Sequence, residues 1–172
     1  PGHFYVLHNE GLVHFQLEVE NEDRSGQRRV LVPHRQETTL EGVDAYAWGL
    51  VIAERDHLEA QVRLRRLEFD SDHSVTLDAP LPCSPAPLSL GLGDSPHFDD
   101  RVLRLREESF CTPPSWWSLD LDSGERRLLK RQPLHGDLAP EDLHCQRLWA
   151  ESHDGERVPV SVVCRKDLAN QP

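Results

Sequence analysis

The feature that most constrains the fold is an alternation of apolar and polar residues that recurs along the chain in paired runs. Residues 13–20 (VHFQLEVE) place an apolar side chain at every second position, which is typical of a strand with one buried face. Another apolar run precedes them across a turn, so residues 3–20 predict a β-hairpin. Near the other end, Gln146–Ser152 and Val158–Cys164 flank an Asp-Gly dipeptide, which is favoured in tight hairpin turns. The chain is therefore predicted to consist of antiparallel strands.

The rest of the chain contains further runs of this kind, and no stretch of ten or more residues shows the helical period of 3.6. Residues 79–100 are rich in Pro, Gly, Ser and Asp and predict a long connection with one short strand at 88–92. Short antiparallel strands joined by such loops are typical of a sandwich, a barrel or a propeller. Groups of three or four strands every ~40–50 residues favour propeller blades. The predicted fold class is all-β, and the remaining predicted strands are 43–48, 49–54, 58–65, 102–108, 116–121 and 126–130.

Composition excludes several functional classes. The chain has 30 Asp and Glu against 19 Lys and Arg, and the net charge of −11 repels a phosphate backbone, so no nucleic-acid partner is expected. The longest apolar stretch, residues 45–53, is far shorter than the ~18 residues of a membrane-spanning helix, so no membrane association is expected. The four cysteines form no C-x-x-C pair and no export signal precedes them, so we expect free thiols in a cytoplasmic protein. Because residue 1 is Pro rather than Met, this end is expected to be an internal cut or a processed terminus.

The residues themselves predict no catalytic serine, no cofactor site and no metal site. Ser95 ends a Gly-Asp-Ser block like that of one group of esterases, but it lies in a proline-rich loop and not in the Gly-x-Ser-x-Gly turn of α/β-hydrolases. His3, His8 and His14 lie close together in sequence, yet their spacing matches no common zinc pattern, and solvated histidines are the preferred interpretation. A histidine-based metalloprotein remains an alternative that metal analysis would test.

Other candidate groups also favour structural roles. Cys111 has no base nearby in sequence and is expected to be a buried or inert thiol. Trp116 and Trp117 must face opposite ways on a strand, so we expect one in the core and the other on the surface or against a neighbouring domain; Trp149 carries the same ambiguity. Adjacent acidic residues on a strand point to opposite faces and rarely share one site, so the acidic pairs are expected to be solvated. These pairs are Asp99 and Asp100, Glu107 and Glu108, and Glu141 and Asp142.

Two segments of the chain resemble a known family. Residues 109–115 (SFCTPPS), followed by 119–126 (LDLDSGER) and by Leu-Leu-Lys, are similar to the last propeller blade of the oligopeptidase B group within the prolyl oligopeptidase family of serine peptidases. Residues 147–167 resemble the hairpin through which the chain of that family leaves the propeller and enters the hydrolase domain. The resemblance is specific in these segments and looser elsewhere. One departure is Cys111, where the family usually has threonine.

The resemblance implies a propeller that caps an α/β-hydrolase domain and restricts entry to short peptides, in a parent enzyme that cleaves after Arg or Lys with a serine nucleophile. It divides the chain into a partial propeller of the last two to three blades at 1–139, and a linker with the first hairpin of a truncated peptidase domain at 140–172. The chain would stop before the nucleophile elbow, so no catalytic residue is carried over and the chain alone is predicted to be inactive. The implied partners are peptide substrates, through the parent enzyme, and the missing hydrolase domain. The alternative is a stand-alone propeller-like interaction module with no enzymatic activity, which is favoured if no Gly-x-Ser-x-Gly follows this segment.

Overall fold

A computed structural model of the chain describes residues 2–23, 26–84, 89–94, 97–134, 136 and 139–169. These residues form thirteen β-strands, one short 3₁₀ helix at Pro140–Asp142 and no α-helix, so the all-β prediction is confirmed. In this part of the chain, no helix is long and apolar enough to cross a membrane. The strands are β1 (His3–His8), β2 (Gln16–Asn21), β3 (Arg28–Val32), β4 (Thr38–Tyr46), β5 (Gly49–Asp56), β6 (Gln61–Phe69), β7 (Val75–Pro80), β8 (Ser89–Leu92), β9 (Val102–Glu108), β10 (Ser115–Asp120), β11 (Arg126–Arg131), β12 (Leu143–Glu151) and β13 (Arg157–Arg165).

In the described part of the chain, the strands form four antiparallel sheets, and within each sheet a strand pairs with its neighbours in sequence. The strand orders are β1-β2-β3, β4-β5-β6-β7, β8-β9-β10-β11 and β12-β13. Four-stranded meanders that repeat along a chain are the blades of a β-propeller. The short strand predicted within the proline-rich connection is present as β8, and its first predicted residue, Leu88, lies outside the described residues.

The chain divides into two compact units. Unit 1 comprises residues 1–82 with 96–100, and unit 2 comprises residues 83–95 with 101–172. In unit 1, the three-stranded sheet and the β4–β7 sheet share one apolar core. Each fully buried aliphatic side chain stabilises such a core by about 1.5–3 kcal/mol. The buried members of this core are Leu17, Val32, Leu40, Leu50, Ile52 and Leu67.

The two four-stranded sheets repeat one pattern of buried residues. Leu50 on β5 and Leu103 on β9 are fully buried, and each faces a buried leucine on the next strand of its sheet. Each of these two strands also carries a buried carboxylate four residues further along. Glu54 follows Leu50 in β5, and Glu107 follows Leu103 in β9. The two sheets are therefore versions of a single blade pattern, although their sequences show little identity.

The largest differences from the predicted strands lie at turns and exposed strands. β2 begins three residues after Val13, whose side chain is 82% exposed in the connection from β1. Leu58 is 69% exposed in the turn between β5 and β6, so the predicted start of β6 at this residue is wrong. β3 and β7 are absent from the predicted set. Most of their side chains are exposed, so burial places little demand on the sequence of either strand.

Candidate functional site

The loop that carries the Gly-Asp-Ser block is partly described. Ser95 lies outside the described residues. Gly93 extends the pairing of β8 with β9, because its N–H donates to the Arg104 carbonyl oxygen at 2.8 Å. A Cβ atom at Gly93 would lie 3.3 Å from the Arg104 Cβ, so the close approach of the strands favours glycine at this position. The described part of the block therefore has a structural role.

The three histidines nearest the start of the chain lie at separate places in unit 1. The His3 ring stacks on His73 with a centroid distance of 3.8 Å. The Nε2 atom of His8 is 3.3 Å from a carboxylate oxygen on β2. The Nδ1 atom of His14 is 2.7 Å from Thr39 Oγ1. Within the described residues, no group of three His, Cys, Asp or Glu side chains is placed to hold a metal ion.

A different histidine group, which the sequence analysis does not identify, surrounds the Thr39 hydroxyl. The Oγ1 atom is 2.7 Å from both His14 Nδ1 and His57 Nε2. Because a hydroxyl has one proton, it donates to one ring and accepts from the N–H of the other. The His34 ring stacks on His14 at 5.8 Å. The three rings come from three different connections, so no local spacing in the sequence reveals the group.

The pair Glu107 and Glu108 corrects the expectation that all acidic pairs are solvated. Glu107 is 3% exposed, and its carboxylate accepts hydrogen bonds from Arg126 Nη2 at 2.6 Å and from the Ser84 hydroxyl at 2.5 Å. Glu108 points to the other face and pairs with Arg106 at 2.6 Å near the surface. A buried carboxylate needs a cation and hydrogen-bond donors to offset its desolvation, and Glu107 has both. Its role is structural, as part of a buried ion pair.

Glu54 is a second buried carboxylate that the sequence analysis does not identify. It is 7% exposed, and one of its oxygens lies 2.5 Å from Arg35 Nη2 and 3.5 Å from Arg65 Nε. In the described residues, each four-stranded sheet thus has a buried carboxylate with a guanidinium partner near the end of its second strand. Among the other predicted pairs, Glu141 and Asp142 are exposed, as expected.

Trp116 and Trp117 lie on opposite faces of β10, as predicted, but neither is fully buried. Trp117 lies opposite the buried Leu105 on the neighbouring strand β9. The Arg126 guanidinium lies 4.6 Å from the centre of the Trp117 ring. The Lys130 ammonium lies 5.5 Å from the centre of the Trp116 ring. Each ring is therefore in contact with a cation of its own sheet, an arrangement that stabilises by about 0.5–2 kcal/mol.

The SFCTPPS segment connects β9 to β10, and its last residue, Ser115, is the first residue of β10. The Ser109 Oγ atom accepts hydrogen bonds from the backbone N–H groups of Cys111 at 3.2 Å and Thr112 at 2.9 Å. The Ser115 hydroxyl is fully buried and donates to the Pro113 carbonyl oxygen at 2.8 Å. Both serines thus hold the turn in place through hydrogen bonds with its backbone.

None of the four cysteines forms a disulfide, as predicted. Burial and the neighbouring Cys145 thiol raise the pKa of Cys111. A raised pKa keeps the thiol protonated at neutral pH, and the thiol is much less nucleophilic than the thiolate. This agrees with the expectation of an inert Cys111.

Seven aromatic rings surround an open cavity of about 310 Å³ in unit 1. The rings include both tyrosines of the chain. The Tyr46 and Trp48 rings stack at 5.0 Å, and Trp48 Nε1 donates to the Asp100 carbonyl oxygen at 2.8 Å. No local sequence pattern reveals this group, because the rings are far apart in the chain. We call it the aromatic pocket; its rings are those of His3, Tyr5, Tyr46, Trp48, Phe69, His73 and Phe98.

Comparison with known proteins places these sheets in a family. The sequence profile described as "Prolyl oligopeptidase, N-terminal beta-propeller domain" matches residues 2–132. Dipeptidyl aminopeptidase BI from Pseudoxanthomonas mexicana is 29% identical over 163 residues, which cover 93% of this chain and 21% of that protein. Protease 2 from Moraxella lacunata is 25% identical over 159 residues, which cover 92% of this chain and 22% of that protein. The chain thus spans about a fifth of the length of these curated relatives.

Solved structures share the same arrangement of strands. Oligopeptidase B from Trypanosoma brucei, in a closed form with covalently bound antipain, matches with a TM-score of 0.83 at 25% identity, over 96% of this chain and 24% of that one. Oligopeptidase B from Leishmania major matches with a TM-score of 0.83 at 23% identity, over 97% of this chain and 24% of that one. At this identity the match shows a shared fold. Since the family profile covers most of the residues that form the meander sheets, the chain belongs to the prolyl oligopeptidase family, as part of its N-terminal β-propeller domain.

Proposed function

We propose that this chain is the propeller portion of a serine oligopeptidase, in which it forms part of the wall that restricts access of peptides to a catalytic centre in another domain. In this proposal, residues 1–139 are the last two to three blades and residues 140–172 begin the peptidase domain. The observation that carries the proposal is the order of two features along the chain. The propeller match ends at residue 132, and a hairpin with an uncovered apolar face follows it.

The β12–β13 hairpin supports a further domain. Its strand register places alternate side chains of both strands on one shared face. On this face Leu148 is 46% exposed, Val158 44% and Val160 39%. An isolated two-stranded hairpin is marginally stable in water and needs another layer over its apolar face. Contiguous exposed apolar surface marks an interaction site, and the proposed occupant is the hydrolase domain.

The proposed reaction is hydrolysis of short peptides after Arg or Lys by a serine nucleophile, with the catalytic triad outside this chain. The support for a basic residue at the cleaved bond is the resemblance of residues 109–131 and 147–167 to the oligopeptidase B group. The net charge of −11 agrees with it, because an acidic surface attracts cationic peptides. We propose a cytoplasmic location, since four cysteines without a disulfide suit a reducing compartment.

The first experiment locates the nucleophile. The 172-residue chain and the longer protein that contains it are each treated with a fluorophosphonate probe for activated serines, and are assayed on arginine, lysine, proline and glutamate amides. We expect labelling and turnover in the longer protein only, on a serine outside the chain and with the basic amides preferred. Turnover by the chain itself that Ser95→Ala abolishes would refute the proposal. A longer protein with no labelled serine would favour the stand-alone interaction module.

The second experiment tests the hairpin with matched variants of the longer protein. Val160→Asp places a charge on the apolar face, and Val163→Asp places the same charge on the opposite face, where the native valine is equally exposed at 39%. If the hydrolase domain covers the apolar face, Val160→Asp lowers activity at least tenfold more than Val163→Asp, because an unpaired charge would be buried there. Equal effects of the two variants would contradict this placement.

A further inference from the structure

One wall of the aromatic pocket is held by an unusual backbone position. His73 has a φ of +58°, in the left-handed region that residues other than glycine rarely adopt. Its ring stacks on His3 at 3.8 Å and on Phe69 at 4.2 Å, and its Nε2 atom is 3.1 Å from the Tyr5 hydroxyl. Its carbonyl oxygen accepts a hydrogen bond from Arg29 Nη2 at 2.8 Å. Surrounding contacts therefore fix a strained residue, a feature that clusters at ligand sites.

A second wall of the pocket is formed at the tight turn between β4 and β5. The stacked Tyr46 and Trp48 rings lie in this turn, and the Ala47 N–H donates to the Phe98 carbonyl oxygen at 2.9 Å. Gly49 allows the turn to approach β6 closely, because a Cβ atom there would lie 1.9 Å from a backbone oxygen. Contacts within the protein thus hold both walls, and a pocket held in this way loses less entropy when it binds a ligand.

A carboxylate completes the lining of the pocket. Asp70 is exposed at its edge, and its Oδ1 atom accepts hydrogen bonds from the Asp72 and Ser74 N–H groups, both at 2.9 Å. These bonds fix the orientation of the carboxylate. Burial lowers the pKa of His73, so the ring is uncharged at neutral pH and does not repel a cation. The pocket therefore combines aromatic faces, a fixed negative charge and a neutral imidazole.

We propose that the aromatic pocket binds the cationic side chain of a peptide, the guanidinium of Arg or the ammonium of Lys. Aromatic faces attract a cation that sits over the ring, and Asp70 adds an opposite charge. The cavity of about 310 Å³ is at the small end of ligand sites, a size suited to one side chain. An anionic ligand is disfavoured by Asp70 and by the net charge of −11, and an uncharged apolar ligand would gain nothing from the carboxylate. The pocket lies wholly within unit 1, and its binding of a cationic side chain is independent of the proposed cleavage.

The test is a titration of the 172-residue chain, followed by NMR of its four tryptophan indole N–H signals. The probes are the N-acetyl amides of arginine, of citrulline, which is its uncharged near-isostere, and of norleucine. We expect the arginine probe to bind about fivefold or more tightly than either neutral probe. This is the affinity ratio that a partly desolvated cation–π contact provides. The Trp48 signal should shift, and those of Trp116, Trp117 and Trp149 should not. Equal affinities, no binding, or shifts spread over all four tryptophans would overturn the proposal.

Matched variants distinguish binding in the aromatic pocket from attraction by the overall negative charge of the chain. Asp70→Asn keeps an oxygen that can accept the hydrogen bonds of the turn, and it removes the charge. The control is Asp120→Asn, which makes the same change in a turn of unit 2, where Asp120 Oδ1 also accepts hydrogen bonds from two backbone N–H groups. We expect Asp70→Asn to reduce the arginine preference by about twofold, as for loss of a solvent-exposed opposite charge, and Asp120→Asn to leave it unchanged. Equal losses would assign the preference to overall charge and refute the site. Tyr46→Leu, compared with Phe110→Leu outside the pocket, tests the aromatic contribution in the same way.

Discussion

Replacement of Arg126 by methionine tests how much its guanidinium stabilises unit 2, through the buried ion pair with Glu107 and the contact with the Trp117 ring. The substitution keeps much of the apolar volume and removes the guanidinium that lies 2.6 Å from Glu107 Oε1. Glu107 is 3% exposed, so its charge would remain buried in the variant. Among the described contacts, the remaining hydrogen-bond donor to this carboxylate would be Ser84. Breaking a buried pair from one side costs about 3–5 kcal/mol. The Arg126 side chain is 19% exposed, so we expect the lower end, about 3 kcal/mol.

This loss should lower the melting temperature by about 6–12 °C, because each kcal/mol shifts the Tm of a chain of this size by about 2–4 °C. Thermal and urea unfolding followed by circular dichroism measure it. The control is Arg106→Met, which leaves the more exposed Glu108 unpaired and should cost about 1 kcal/mol or less. The double variant Glu107→Gln with Arg126→Met should recover part of the loss, since no buried charge remains. A stabilising role for the Arg126 guanidinium is refuted if Arg126→Met costs no more than Arg106→Met, or if the double variant is less stable than Arg126→Met alone.

Three further predictions follow from local geometry. Gly49→Ala should destabilise the chain by about 2 kcal/mol or more in urea unfolding, whereas Gly91→Ala, whose Cβ meets nothing within 4 Å, should cost less than about 1 kcal/mol. A maleimide at neutral pH should modify the exposed Cys83 faster than Cys111, whose pKa is raised by burial, and equal rates by mass spectrometry would contradict this. The backbone N–H groups of the following turn hold the pKa of Asp120 below its usual value. The ionised Asp120 carboxylate therefore stabilises the folded chain at pH values above the unfolded-state pKa, and this stabilisation is lost as the pH falls through the folded-state pKa. The Tm difference between the wild type and Asp120→Asn should therefore shrink between about pH 5 and pH 2.

Several elements were predictable because their side chains carry a periodic signal. β9 has the predicted bounds Val102–Glu108, where buried and exposed side chains alternate along the strand. The last hairpin was predicted from alternation on both sides of an Asp-Gly turn, and the structure pairs Leu148 with Val160 across it. β3, by contrast, has mostly exposed side chains and gave no such signal. Alternation reports burial on one face, so strands that bury little are not revealed by it.

The aromatic pocket and the buried ion pairs could not be predicted for a different reason. Glu54 and Glu107 look like surface residues in the sequence, because their guanidinium partners lie on other strands or in connections. Likewise, His3 and His73 stack although they are far apart in the chain, and Trp48 joins the same pocket from a third segment. Contacts of this kind depend on which strands become neighbours, and the local pattern of one strand contains no information about that.

The amino-acid sequence by itself determined the class of structure: period-two alternation, turn dipeptides and the lack of a helical period lead to antiparallel sheets, and two family-like segments led to the prolyl oligopeptidase propeller. The tertiary structure decided which polar groups are buried, which histidines meet and where aromatic rings converge. The physical reason is that secondary structure follows from periodicities within a few residues, whereas desolvation, ion pairing and ring stacking are properties of residues brought together by the pairing of sheets.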